Sequence, residues 1–119
     1  CGWVIENSNY KTFFCGDTGY SKDFLTIQKK FGYMDLSLIP IGAYAPRWFM
    51  KDHHCNVKEA IQIHKDIRSK HSVAMHWGTF QLTDEPMKEP IQLLKSLSVE
   101  KNLPKKEFII MKHGETKIV

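Results

Sequence analysis

The chain contains no Cys-x-x-Cys spacing, and its three cysteines, Cys1, Cys15 and Cys55, are odd in number. An odd, scattered set argues against a disulfide framework and for a reducing, cytosolic setting, with peripheral contact to a membrane left open. Neither a leader-like N-terminus nor an apolar run of membrane-spanning length is present. No dense Lys/Arg block occurs: 17 basic against 13 acidic residues leave a formal net charge of +4. So small an excess gives no ground for a nucleic-acid partner. It would still suit an anionic lipid surface or a phosphate-bearing substrate. There is no Gly-x-Ser-x-Gly elbow and no phosphate-binding loop, so nothing points to a serine hydrolase or a P-loop enzyme. An initiating Met is also missing. Cys1 stands directly before the strand-like Trp3-Val4-Ile5, which predicts a chain cut from a larger protein.

What is present fits one domain. The 119 residues are 42% hydrophobic and 25% charged, with Phe 7, Tyr 4 and Trp 3, enough aromatic mass for a real core. Residues 2–6 and 11–16 read as strands around the turn composition Asn7-Ser8-Asn9. Residues 21–31 read as a helix, with Phe24, Ile27, Gln28 and Phe31 at helical spacing, Ser21 as a cap and Gly32 as a stop. An apolar strand at 34–41 and an irregular, aromatic stretch at 42–55 follow. The strongest helical pattern covers 57–70. It has Val57, Ala60, Ile61, His64 and Ile67 on one face and a capping box in Asn56 and Glu59. Lys65, Arg68 and Lys70 gather at its end, and His71 reads as a further C-terminal cation. A strand at 72–76, a helix from about Pro90 to Asn102 and a last strand at 108–111 complete the order. The alternation predicts α/β layers in which both faces of the central strands are buried. If helices cover only one face, the other becomes a docking surface.

Two strands end on residues that bind metals. Asp17 closes Phe14-Cys15-Gly16-Asp17-Thr18-Gly19, and His76 closes Val73-Ala74-Met75-His76. Side by side at one rim of a sheet, a carboxylate and an imidazole would form part of a metal site. Two ligands alone do not hold a catalytic metal, which takes three protein groups plus water. Asp17 also fits an Asx turn, the commoner use of Asp-Thr-Gly. His76 fits equally a core histidine bonded to backbone. His53 and His54, in the loop after the aromatic stretch, could donate a proton or contact phosphate near neutral pH, or stand idle in solvent. His64 reads as structural, and Cys15 as a small buried hydrophobe.

Three segments together carry a resemblance. They are Phe14-Cys15-Gly16-Asp17-Thr18-Gly19-Tyr20, the run from Ile39 through Pro46-Arg47-Trp48-Phe49-Met50-Lys51, and Met75-His76-Trp77-Gly78-Thr79-Phe80. From about Trp3 to Glu115 the chain resembles the C-terminal portion of the N-acyl-phosphatidylethanolamine-hydrolysing phospholipase D family of the metallo-β-lactamase superfamily. The resemblance implies the second half of an αβ/βα four-layer sandwich, with a mixed sheet and about three helices over residues 1–119. It implies two zinc ions, with Asp17 bridging them and His76 completing one shell. His54 is implied near the substrate phosphate, and His53 stands where relatives usually have glutamine. Tyr44, Trp48 and Phe49 would line an apolar approach for acyl chains or pack between the halves. The family's His-x-His-x-Asp-His cluster is absent from these residues, and Cys55-Asn56-Val57 departs from the proline expected there. The expected activity is phosphodiester hydrolysis of a phospholipid, with the N-terminal half of the same protein as partner and the isolated fragment inactive. Two alternatives stand beside it: a superfamily hydrolase with another substrate, and a non-catalytic half that only packs with a partner or self-associates.

Overall fold

The computed structural model describes residues 1–118. The elements follow in the order β1 (Trp3–Glu6), β2 (Lys11–Phe14), α1 (Asp23–Phe31), β3 (Met34–Pro40), α2 (Arg47–Met50), α3 (Val57–Asp66), β4 (Ser69–Met75), α4 (Glu89–Glu100) and β5 (Phe108–Ile109). The strands form one mixed sheet in chain order. β1 is antiparallel to β2, and β2 through β5 run parallel. The tight β1–β2 connection comes from Asn7, whose Oδ1 accepts the N–H groups of Asn9 and Tyr10, each at 2.9 Å.

Parallel neighbours joined in sequence by right-handed crossovers keep their helices on one side of the sheet. α3 accordingly packs on β3 and β4 and touches α1 and α4. The covered face holds the register line Val4, Phe13, Ser37, Ser72 and Phe108, buried from Phe13 onward. The opposite face holds Trp3, Phe14, Leu38, Val73 and Ile109 in one line across all strands. Trp3 is 62% and Phe14 40% exposed, so this face is bare. The expectation that both faces of the central strands are buried is therefore corrected. A continuous apolar run looks the same whether one side or both are covered, and here Leu36, Leu38 and Val73 are only half-buried.

α3 forms as its sequence predicts. Asn56 accepts the Glu59 N–H at 2.9 Å while Glu59 accepts the Asn56 N–H at 2.8 Å. Lying between α1 and α4, it buries Ile63 as well as the expected Val57, Ala60, Ile61 and His64. It ends earlier than expected. Arg68 turns into the left-handed region (φ 52°), and β4 starts at Ser69 instead of 72. Lys70 and His71 are therefore strand residues, not cations at a helix end. Lys70 pairs with Asp35 at 2.8 Å, and His71 Nδ1 lies 3.1 Å from the Lys106 carbonyl. Two smaller differences concern the helices. α1 starts at Asp23, with Lys22 at the cap position and Ser21 Oγ accepting the Asp23 N–H at 3.2 Å. The stretch 42–55, read as irregular, contains the single-turn α2 directly after Pro46.

Candidate metal centre

β2, β3 and β4 run parallel, so their C-terminal ends share one edge, where the chain leaves the sheet and opens a crevice. Backbone pairing continues one residue past the strands: the Cys15 N–H donates to the Leu38 carbonyl and the Ile41 N–H to the Met75 carbonyl, both at 3.0 Å. Asp17 and His76 lie just beyond these last pairs. His76 Nε2 is 3.6 Å from Asp17 Oδ1, so the two side chains converge at a common rim. His76 turns out of the strand in the left-handed region (φ 58°), a conformation costing about 1–2 kcal/mol for a residue with a Cβ. Gly42 lies against this turn. A Cβ at position 42 would overlap the His76 carbonyl oxygen, so only glycine lets the β3 exit pass under it.

His54 arrives at the same rim from a different element. The Cys55 N–H donates to the Thr18 carbonyl at 2.7 Å. At Gly19 an added Cβ would stand 2.5 Å from the Lys51 carbonyl oxygen, so the loop after β2 is pressed onto the segment after α2. Arg47 secures the other side. Its Nη1 donates to the His54 carbonyl at 2.7 Å, and its Nη2 donates to both Glu59 oxygens at 2.9 and 3.1 Å. The carboxylate that caps α3 thus also anchors the arginine that holds the His54 backbone. Glu85 does comparable work under the β3 exit. This buried carboxylate accepts the Ala43, Tyr44 and Ala45 N–H groups at 2.6, 3.3 and 3.0 Å and the Thr83 hydroxyl at 2.7 Å. Burial pushes its carboxyl upward, yet the Thr83 hydroxyl and the backbone donors hold it below the usual range.

The result is a cluster of one carboxylate and two imidazoles, each of Asp17, His54 and His76 offering one donor atom within 4.8 Å of the others. The His54 and His76 rings stack at 5.1 Å between centroids. Burial, with the neighbouring His76 next, pushes His54 below the ordinary histidine range, which favours its neutral form. His54 Nδ1 is buried without a partner among the described residues. Such an orphan costs about 1–3 kcal/mol unless something outside the chain satisfies it. An imidazole and carboxylate donor set of this kind, carrying no ammonium or guanidinium, fits a divalent transition metal. As supplied by this chain the shell is partial.

The remaining expected residues lie around this cluster. His53 is exposed, with its ring 6.4 Å from that of Phe49. Tyr44 is buried and donates its hydroxyl to Glu89 at 2.5 Å, whereas Trp48 and Phe49 are 80% and 60% exposed and packed edge to face. Cys15 is a buried thiol pushed up to about 12 by burial and by Asp17, as suits a small hydrophobe. His64 is structural, its Nδ1 2.8 Å from the buried Ser72 hydroxyl. Arg47, Glu59 and Glu85 are the positioning residues that sequence reading missed. Glu59 announced only a helix cap, and Asp84-Glu85-Pro86 only a turn.

Residues 1–77 match the Beta-lactamase superfamily domain. The chain is 43% identical over 117 residues to N-acyl-phosphatidylethanolamine-hydrolyzing phospholipase D 1 of Caenorhabditis elegans, an alignment covering 96% of this chain and 33% of that protein. It is 32% identical over 115 residues to a UPF0173 metal-dependent hydrolase of Staphylothermus marinus, covering 97% and 44%. The chain thus spans less than half the length of these curated relatives. Among solved structures, the isothiocyanate hydrolase from Delia radicum gut bacteria superposes with a TM-score of 0.78 at 19% identity, over 100% of this chain and 43% of that one. That last likeness concerns the fold.

Proposed function

This chain belongs to the β-lactamase superfamily, and from that membership we propose that it forms one half of a zinc-dependent phosphodiesterase of the phospholipase D type. The substrate is N-acyl-phosphatidylethanolamine, hydrolysed to phosphatidic acid and an N-acylethanolamine. The carrying observation is the convergence of Asp17, His54 and His76 at the C-terminal edge of the parallel strands. The 43% identity to a relative named for this reaction supports the substrate. The bare sheet face and the coverage of under half of the relatives support a second half packed there, which supplies the remaining metal donors.

Asp17 and His76 are the residues of this chain that would hold zinc. Bound zinc supplies Lewis acidity toward the phosphoryl oxygens and lowers the pKa of water to about 7. His54, neutral and stacked on His76, contributes a ring N–H to a phosphoryl oxygen, while Arg47 and Glu59 keep it in place. His53 stands at the edge of the same loop. Exposed Trp48 and Phe49 give the protein an apolar contact with a lipid surface. No helix among the described residues is long and apolar enough to cross a membrane.

Asp17→Asn in the full-length protein removes the shared negative charge at nearly constant shape. Zinc-dependent hydrolysis of the phospholipid is expected to fall to background and bound zinc to drop, measured by product chromatography and metal analysis. Turnover at the wild-type rate would reject the role. The similarity to UPF0173 metal-dependent hydrolases favours a second reading, a superfamily hydrolase with a different substrate. A panel of phosphodiesters, lactones and thioesters separates the two.

A further inference from the structure

The segment after His76 folds back over the β3 exit and bounds a half-open cavity of about 280 Å³. His76 and Gly42 form one wall, so the cavity begins where the metal cluster ends. The rest of its surface is mainly apolar: Trp77, Phe80, Leu82, Met87 and Pro90. The segment is held in shape by Gln81, whose Nε2 donates to the Thr83 and Glu85 carbonyls at 3.2 and 3.1 Å, and by the Asp84 N–H, which donates to the Ala45 carbonyl at 3.3 Å.

One charged residue lines the cavity, and it is spent. Both Glu85 oxygens are taken by the backbone N–H groups of 43–45 and by Thr83. Among the described residues no lysine or arginine lines it. A phosphate or an ammonium would therefore find no charge partner here and would lose solvation on entry. Phe80 and Leu82 meanwhile expose 73% and 66% of their surface on the cavity's rim, apolar area that an occupant would take out of water.

We propose that this cavity is the subsite for an uncharged alkyl chain of the substrate, seated beside the phosphate held at the metal cluster. The assignment rests on the phosphodiesterase reading above and extends it. It names a wall other than Tyr44 and Trp48, whose side chains are respectively buried and turned to solvent. Two chains of the lipid have the right chemistry, the N-acyl chain and a glycerol-linked chain.

The test uses the full-length protein and its Leu82→Asp and Phe80→Ala variants, with Val99→Asn, an exposed position on α4 outside the cavity, as control. Substrates vary one chain from short to long while the other stays fixed, and kcat/KM is measured for each. A single methylene in an apolar pocket changes selectivity by roughly tenfold or more. The long-to-short preference is expected to collapse by at least about tenfold in Leu82→Asp and less in Phe80→Ala. It should stay as in wild type in Val99→Asn. Collapse for the N-acyl series assigns that chain, and collapse for the glycerol series assigns the other; unchanged preference in both series overturns the proposal. Calorimetric titration with N-dodecanoylethanolamine gives a readout without turnover. Binding weakened about tenfold by Leu82→Asp supports the subsite even if no phosphodiester is cleaved, in which case only the phosphodiesterase reading falls. Cleavage of the phospholipid with equal binding and equal chain preference in wild type and Leu82→Asp removes the subsite alone.

Discussion

The two faces of the sheet differ in a way that reverses the usual order of inside and outside. The helix-covered face carries Ser37 and Ser72 in its central register line, while the matching line of the bare face, Trp3, Phe14, Leu38, Val73 and Ile109, has no polar member. Polar groups survive on the covered side because each has a partner: Ser69 Oγ donates to Ser37 Oγ at 2.8 Å, and Ser72 Oγ lies 2.8 Å from His64 Nδ1. The bare face needs no such arrangement if a second sheet covers it. An uninterrupted apolar line of this length on a solvent-facing surface is the composition of an interface.

The largest expected effect comes from the covered side. Phe13→Ala in the 119-residue chain should cost about 3–5 kcal/mol, read from the urea midpoint, because Phe13 is 2% exposed and packs edge to face on Phe24. Its neighbour tests the difference directly. Phe14→Ala should cost no more than about 0.5 kcal/mol in the same chain, as a surface change does. Equal losses at 13 and 14 would break the comparison.

Between these extremes lies the polar pair under α3. Ser72→Ala strands His64 Nδ1 in the core and should cost about 1–3 kcal/mol. His64 adds a pH dependence. Burial pushes its pKa below the ordinary 6.5, with Glu107 at 3.6 Å opposing in part. Lys65 and His71 push it slightly further down, and the Phe108 ring stacks on the imidazole. The folded state therefore binds the proton less readily than the unfolded one. Stability is complete above the unfolded value of 6.5 and is lost as the pH falls from there through the lower folded value. His64→Gln should flatten the decline of the thermal midpoint between about pH 7 and about pH 5. A decline as steep as in wild type would show that the buried imidazole does not drive it.

Much of the scaffold was legible because its signals are local. The Asn56–Glu59 box, the Gly32 stop and the apolar face of α3 are each written within a few residues. The end of α3 was not, since nothing in Ile67-Arg68-Ser69 marks a left-handed turn at an arginine. The four-residue α2 was too short to show a period. Of the site, the pair Asp17 and His76 could be read from strand ends, because parallel neighbours must finish at one edge. His54 entered the cluster through contacts between distant loops: Cys55 on Thr18, Lys51 against Gly19 and Arg47 on the His54 carbonyl. No periodicity encodes such docking. The expectation of a phosphate-facing histidine came from resemblance, and the stacking of its ring on His76 came only with the structure.

The fit between Gly42 and the His76 carbonyl has an evolutionary corollary. Position 42 has no side chain to vary, so a lineage that keeps the rim histidine in its turn keeps the glycine with it. Drift at one would first require release of the other. Diversification of substrate range should then accumulate at Phe80, Leu82 and Met87, which line the cavity after His76 and take no part in the hold of Glu85 on residues 43–45.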